Sequence, residues 1–188
     1  MILLELAMKR PDLVGRAALI GVPWKPGALQ QSLQAEAVER LRNNYQVPAL
    51  LEGVFRGMYL FGPRALNRDQ FIQPYLDGLS GLVDSGGHGA FGHAEASNNF
   101  RPSEEDIAAV RVSLLIVGME HDIVAPRHRS RELADLIPTA QYVEIRNCGH
   151  ACLLEKPTEV NALVADYLRS GKVETTRGTG DSGEGVSR

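Results

Sequence analysis

Two short segments hold the side chains best suited to joint acid–base chemistry. One is Met119-Glu120-His121-Asp122-Ile123-Val124-Ala125-Pro126, and the other is Asn147-Cys148-Gly149-His150, where the glycine lets the backbone turn. A carboxylate such as Asp122 can accept the Nδ1 proton of an imidazole such as His150. It then fixes the tautomer and stabilises the imidazolium formed when Nε2 acts as a base. That is two thirds of a nucleophile–base–acid triad. Taken singly, each residue has a plainer reading, Asp122 as a turn former or cap and His150 as a loop histidine. Their joint placement decides between the readings.

The elements that must position them are legible on either side. Val112-Ser113-Leu114-Leu115-Ile116-Val117-Gly118 is a continuous apolar run suited to a parallel strand covered on both faces, and Asp122 follows it. Pro126 opens an amphipathic helix over 127–137. Gln141-Tyr142-Val143-Glu144-Ile145 alternates as a strand nearer a sheet edge would, His150 follows it, and a helix over 157–168 comes next. A third apolar run, Ala17-Ala18-Leu19-Ile20-Gly21-Val22, ends at Pro23. Strands alternating with helices mean an α/β fold with a parallel, doubly wound sheet, in which catalytic groups collect at the carboxyl ends of the strands.

Before the third run, residues 1–8 are apolar almost all round, like the inside of a buried helix, with Lys9-Arg10-Pro11 as its stop. Residues 27–105 read as an irregular, mostly helical insert, with helical patches over 29–41 and 47–60 broken by Gly53, Gly57, Gly62-Pro63 and Pro74. Within it, Ser85-Gly86-Gly87-His88-Gly89-Ala90-Phe91-Gly92-His93 reads as a loop. The division expected is therefore a core from 1–26 and 106–170, an insert over 27–105, and a glycine-rich, disordered tail over 171–188.

Composition excludes several classes of function. The chain has 188 residues, 20 Lys+Arg against 23 Asp+Glu, and no apolar run of membrane-spanning length. A slightly acidic balance argues against non-specific binding to nucleic acid or anionic membrane, and the basic cluster Arg127, His128, Arg129 and Arg131 reads as a solvated helix face. With no signal-peptide pattern at the start, the expected location is cytoplasmic. Cys148 and Cys152 read as free thiols. Zinc binding by Cys148, His150 and Cys152 fits no standard ligand spacing. Ser80 and Ser85 lie in sequences lacking one glycine each of a Gly-x-Ser-x-Gly turn, and Cys148 stands too close to His150 on one loop to face it as a nucleophile.

From Met1 to about Leu168 the chain resembles the C-terminal part of the α/β-hydrolase superfamily. Gly149-His150 followed by Glu155-Lys156-Pro157 looks like that family's Gly-His-x-x-x-x-Glu-x-Pro signature. Leu114 to Gly118, through Asp122 to Pro126, looks like its acid loop. The resemblance implies Asp122 as acid and His150 as base, with Glu120 a competitor that the spacing to Pro126 disfavours. It implies the last three parallel strands of the family's sheet, a helical cap over the insert, no cofactor, and a small-molecule acyl or ester substrate. The chain departs from the family in having Met119 where a small residue usually precedes the acid, and in lacking the nucleophile turn and oxyanion loop, both expected upstream of Met1. Two functions are therefore expected. One is an ester, thioester or related hydrolase, cut short before its nucleophile and inactive as given. The other is a non-catalytic remnant that binds a small hydrophobic ligand, or pairs with itself or a partner chain through a bare strand edge near Ala17–Val22.

Overall fold

The computed structural model describes residues 1–22, 24–78 and 88–173, the side chains of 88–90 excepted. Pro23, Ser80, Ser85 and the tail from 174 onward lie outside the described residues.

Three parallel strands, β1 (Arg16–Ile20), β2 (Ser113–Met119) and β3 (Ala140–Ile145), form one sheet in the order β1-β2-β3. The register sets Ile20 beside Val117 and Met119 beside Ile145, so all three carboxyl ends reach one edge. Period-two alternation sorts the strands' side chains onto two faces. Ala17, Leu19, Leu114 and Ile116 enter one core with Leu4, Ile107, Leu133 and Ile137. Leu115, Val117, Met119 and Ile145 enter the other with Val160 and Tyr167. Full burial of one such aliphatic side chain is worth about 1.5–3 kcal/mol, which is why the central strand is apolar on both sides. The fold is α/β with three parallel strands flanked by helices.

The first core is covered by α1 (Ile2–Lys9), and by α7 (Glu104–Ala108) and α8 (Arg127–Leu136); the second is covered by α10 (Pro157–Ser170), which follows the short α9 (Cys152–Glu155). Helix α1 differs from its sequence reading, because only Leu4 and Ala7 are buried while Ile2 is 78% exposed. A single face of a helix meets the sheet. The other face of α1 lines an open cleft of about 990 Å³ with Phe100 and Pro102.

Between β1 and β2 run α2 (Ala28–Arg42), α3 (Ala49–Leu60), α4 (Pro63–Leu66), α5 (Asp69–Gly78) and α6 (His88–Asn99) before α7. Three expected breakers prove to be interior positions, Gly53 and Gly57 in α3 and Pro74 in α5. The glycines let two helices close on each other. Tyr75 donates to the Gly53 carbonyl at 2.9 Å, and a Cβ on Gly57 would stand 3.3 Å from the Tyr75 ring. Phe61 packs edge-on against Phe71 and Tyr75, so tertiary contact outweighs the helix cost of glycine. The expected loop over 85–93 is corrected from His88 onward, which is helical, while 85–87 lie outside the described residues; Gly89 and Gly92 lower helix propensity without abolishing it.

Candidate active site

Asp122 and His150 meet at the carboxyl edge of the sheet. After β2 the chain turns at Glu120 and His121, and the turn is held by Asp122 N–H donating to the Met119 carbonyl at 3.2 Å. The Asp122 side chain is fully buried, with Oδ1 accepting from Val124 N–H at 2.8 Å and Ala125 N–H at 2.7 Å. Its Oδ2 lies 2.9 Å from His150 Nδ1. Asp122 is therefore both the local cap of its loop and the partner of the imidazole. A carboxylate only accepts, so Nδ1 is the donor of this pair and Nε2 is the ring nitrogen turned away from it. The His150 side chain keeps 27% of its surface exposed, and among the described residues no group hydrogen-bonds Nε2.

Glu120 does something else. Its Oε2 accepts from Asn147 N–H at 2.8 Å, and that bond holds its carboxyl below the usual glutamate range. Glu120 N–H donates to the Ile145 carbonyl at 3.0 Å and His121 N–H to the Cys148 carbonyl at 2.9 Å. Three bonds thus stitch the loop after β2 to the end of β3 and the loop that follows it, fixing Asp122 against His150.

The loop after β3 turns at Asn147, whose φ is +48°, a conformation asparagine tolerates better than most residues. Gly149, which the sequence suggests as the turning residue, serves close packing instead. A Cβ there would fall 2.5 Å from Gly62 N, 2.6 Å from Phe61 C and 2.7 Å from Leu60 O, so only glycine lets this loop seat on the α3–α4 junction. Cys148 is buried, with its thiol donating to the Gly149 carbonyl at 3.5 Å, and burial pushes it up to about 12; Cys152, buried as well, is pushed up to about 11. Both are protonated thiols at neutral pH and unsuited to nucleophilic attack. Among the described residues no three His, Cys, Asp or Glu side chains gather as metal ligands.

Two site residues escape sequence reasoning. Gly21, at the end of β1, has φ +56°, and a Cβ there would stand 2.9 Å from Met119 Cε, 3.2 Å from Asp122 Oδ2 and 3.2 Å from His150 Cε1. It leaves room for the pair, and Met119, buried in the second core, fills the space beside it. A glycine at a strand end was the available signal. Glu155 is the other: the sequence shows it only as part of the Gly-His-x-x-x-x-Glu-x-Pro pattern, without its partners, and here its Oε1 accepts from Gly149 N–H at 2.9 Å and Gly62 N–H at 3.0 Å.

A parallel sheet with helices on both faces thus carries a buried carboxylate and an imidazole on successive strand ends, where α/β folds place their functional groups. The family described as TAP-like protein, an α/β-hydrolase family, matches residues 93–180. BpoC of Mycobacterium tuberculosis, a protein named as a non-heme bromoperoxidase, is 25% identical over 170 residues, covering 89% of this chain and 64% of BpoC. The homoserine O-acetyltransferase of Deinococcus radiodurans is 28% identical over 177 residues, covering 85% of this chain and 52% of that one. Among solved structures, BpoC superposes with a TM-score of 0.78 at 23% identity, over 92% of this chain and 64% of BpoC. A thermophilic esterase from Thermogutta terrifontis gives 0.72 at 18% identity, over 89% of this chain and 60% of the esterase. These superpositions give the chain the fold of the C-terminal part of an α/β-hydrolase. It spans less than two thirds of the length of these relatives. No described helix is long and apolar enough to cross a membrane.

Proposed function

We propose that the chain carries the acid and base of a hydrolase acting on an ester, thioester or related acyl bond. Asp122 orients His150, and His150 Nε2 takes the proton of a nucleophile as it attacks the carbonyl, then returns it to the leaving group. The observation that carries this reading is the buried carboxylate 2.9 Å from Nδ1, with no hydrogen-bond partner on Nε2 among the described residues. The nucleophile and oxyanion donors are proposed to come from residues other than these 188, which agrees with the partial coverage of the relatives. The helices over 27–105 are proposed as the cap that shapes the pocket, and the location as cytoplasmic.

The test compares the 188-residue chain with a form extended to the next in-frame start upstream, using a short-chain p-nitrophenyl ester. Turnover is expected only in the extended form, and His150→Ala should abolish it. Turnover by the short chain that survives His150→Ala would overturn the proposal.

A second reading is favoured by the outer edge of β1, which pairs with no strand among the described residues, and by exposed Leu50, Val54, Phe55 and Met58 on α3. On that reading the chain is a non-catalytic relative that binds a small hydrophobic ligand or a partner chain. A folded chain in which neither form turns over the ester would favour it.

A further inference from the structure

The loop that carries His150 is held from outside the sheet as well as from within it. Ala151 N–H, next to the imidazole residue, donates to the Leu60 carbonyl at the end of α3 at 2.8 Å. Gly149, just before it, lies so close to the Leu60–Gly62 backbone that no side chain fits between them. One oxygen of Glu155 then takes both remaining donors, Gly149 N–H at 2.9 Å from the His150 loop and Gly62 N–H at 3.0 Å from the α3–α4 junction. A carboxylate accepting two backbone donors makes charge-assisted bonds, roughly twice as strong as neutral ones. The acid loop is tied to the same insert, since Gln30 Nε2 of α2 donates to the Ile123 carbonyl at 2.6 Å.

We propose that Glu155 is a positioning residue: by bridging Gly149 N–H and Gly62 N–H it locks the His150 loop to the α3–α4 junction, so the seat of the insert sets whether the imidazole faces Asp122. Glu155 touches neither the imidazole nor a reacting atom in this arrangement. It acts through the backbone on either side of His150. The seat of the insert and the alignment of the base are then one variable, and whatever lifts α3 and α4 from the core also withdraws the base. This inference rests on the reading of Asp122 and His150 as acid and base.

The experiment is imidazole ¹⁵N–¹H NMR and amide hydrogen exchange on the 188-residue chain, unmodified and as Glu155→Ala and Glu155→Gln. The unmodified chain should show a downfield His150 Nδ1 proton. Glu155→Gln, whose amide oxygen can accept both bonds, should keep it. Glu155→Ala should lose it, and the amides of Gly149 and Ala151 should exchange about tenfold or more faster while those of β2 stay unchanged. A Glu155→Ala chain that keeps the proton, or in which the β2 amides speed up in step with Ala151, would overturn the proposal, because the residue would then be irrelevant or merely stabilising. Should that variant fail to fold, exchange in the unmodified chain decides: Gly62, Gly149 and Ala151 opening at one common rate supports the lock, and unrelated rates overturn it. Absence of the Nδ1 proton from the unmodified chain would instead remove the Asp122–His150 pair itself, and with it the proposed function.

Discussion

Asp122 Oδ2 stands 2.9 Å from His150 Nδ1, across twenty-eight positions of sequence, while the other oxygen of the same carboxylate closes its own loop on Val124 and Ala125. The two oxygens have separable duties. Asp122→Asn can keep the Oδ1 bonds but turns an NH₂ toward Nδ1, driving the imidazole proton to Nε2. Stability should change little, whereas hydrolysis by the extended form should fall about 10⁴-fold. Asp122→Ala should also cost about 1–3 kcal/mol, since the N–H of buried Ala125 loses its acceptor. Urea unfolding and ester turnover, measured on both variants, separate the two effects.

Gly21 should tolerate no side chain. Its φ of +56° costs an L-residue roughly 1–2 kcal/mol, and the new Cβ would press on Met119, Asp122 and His150 at once. Gly21→Ala is expected to lower the urea midpoint and to weaken the His150 Nδ1 proton signal. An unchanged midpoint would show that β1 can relax away from the pair.

The two thiols should be silent in the native chain. Burial raises Cys148 to about 12 and Cys152 to about 11, from an ordinary value of 9.0, so the folded state favours the protonated thiols. Their contribution to stability is complete below about pH 9 and is lost as pH rises toward 11–12. Iodoacetamide at pH 8 is expected to label neither cysteine until urea unfolds the chain, as read by intact mass. Stability should fall on going from pH 8 to pH 10.

Tyr167 ties α10 to the sheet, with its ring fully buried and its hydroxyl 2.9 Å from Ser113 Oγ. Tyr167→Phe removes one partly buried hydrogen bond and should cost about 0.5–1.5 kcal/mol. Tyr167→Ala adds a cavity and should cost about 3–5 kcal/mol, the range for a buried aromatic. Chemical denaturation of both variants measures the difference, and the site geometry should persist in the phenylalanine form.

Much of this architecture is written in local pattern. Apolar runs at 17–22 and 112–118, the alternation at 141–145 and the helical spacing at 157–168 each report which faces are buried, because strand and helix periods are properties of neighbouring residues. Parallel strands follow from the alternation with helices. The nearness of Asp122 to His150 then follows from two loops at adjacent strand ends, so the pair could be named before any coordinates.

Contacts between distant segments were decided only by the tertiary structure. Gly53, Gly57 and Pro74 look like breaks, yet the packing of Tyr75 and Phe61 holds them inside helices. Gly149 looks like a turn residue, yet its lack of a side chain matters because Leu60 to Gly62 lie against it. Glu120 and Asp122 are chemically alike and two residues apart; the spacing to Pro126 favours Asp122 as the partner of His150, but only the tertiary structure gives Glu120 its own partner, Asn147 N–H. Periodicity shows that a face is buried but not which distant backbone closes over it. For that reason the meeting of Asp122 and His150 was readable from the sequence, while the contacts by which Gly21, Gly62 and Glu155 hold the two in place were not.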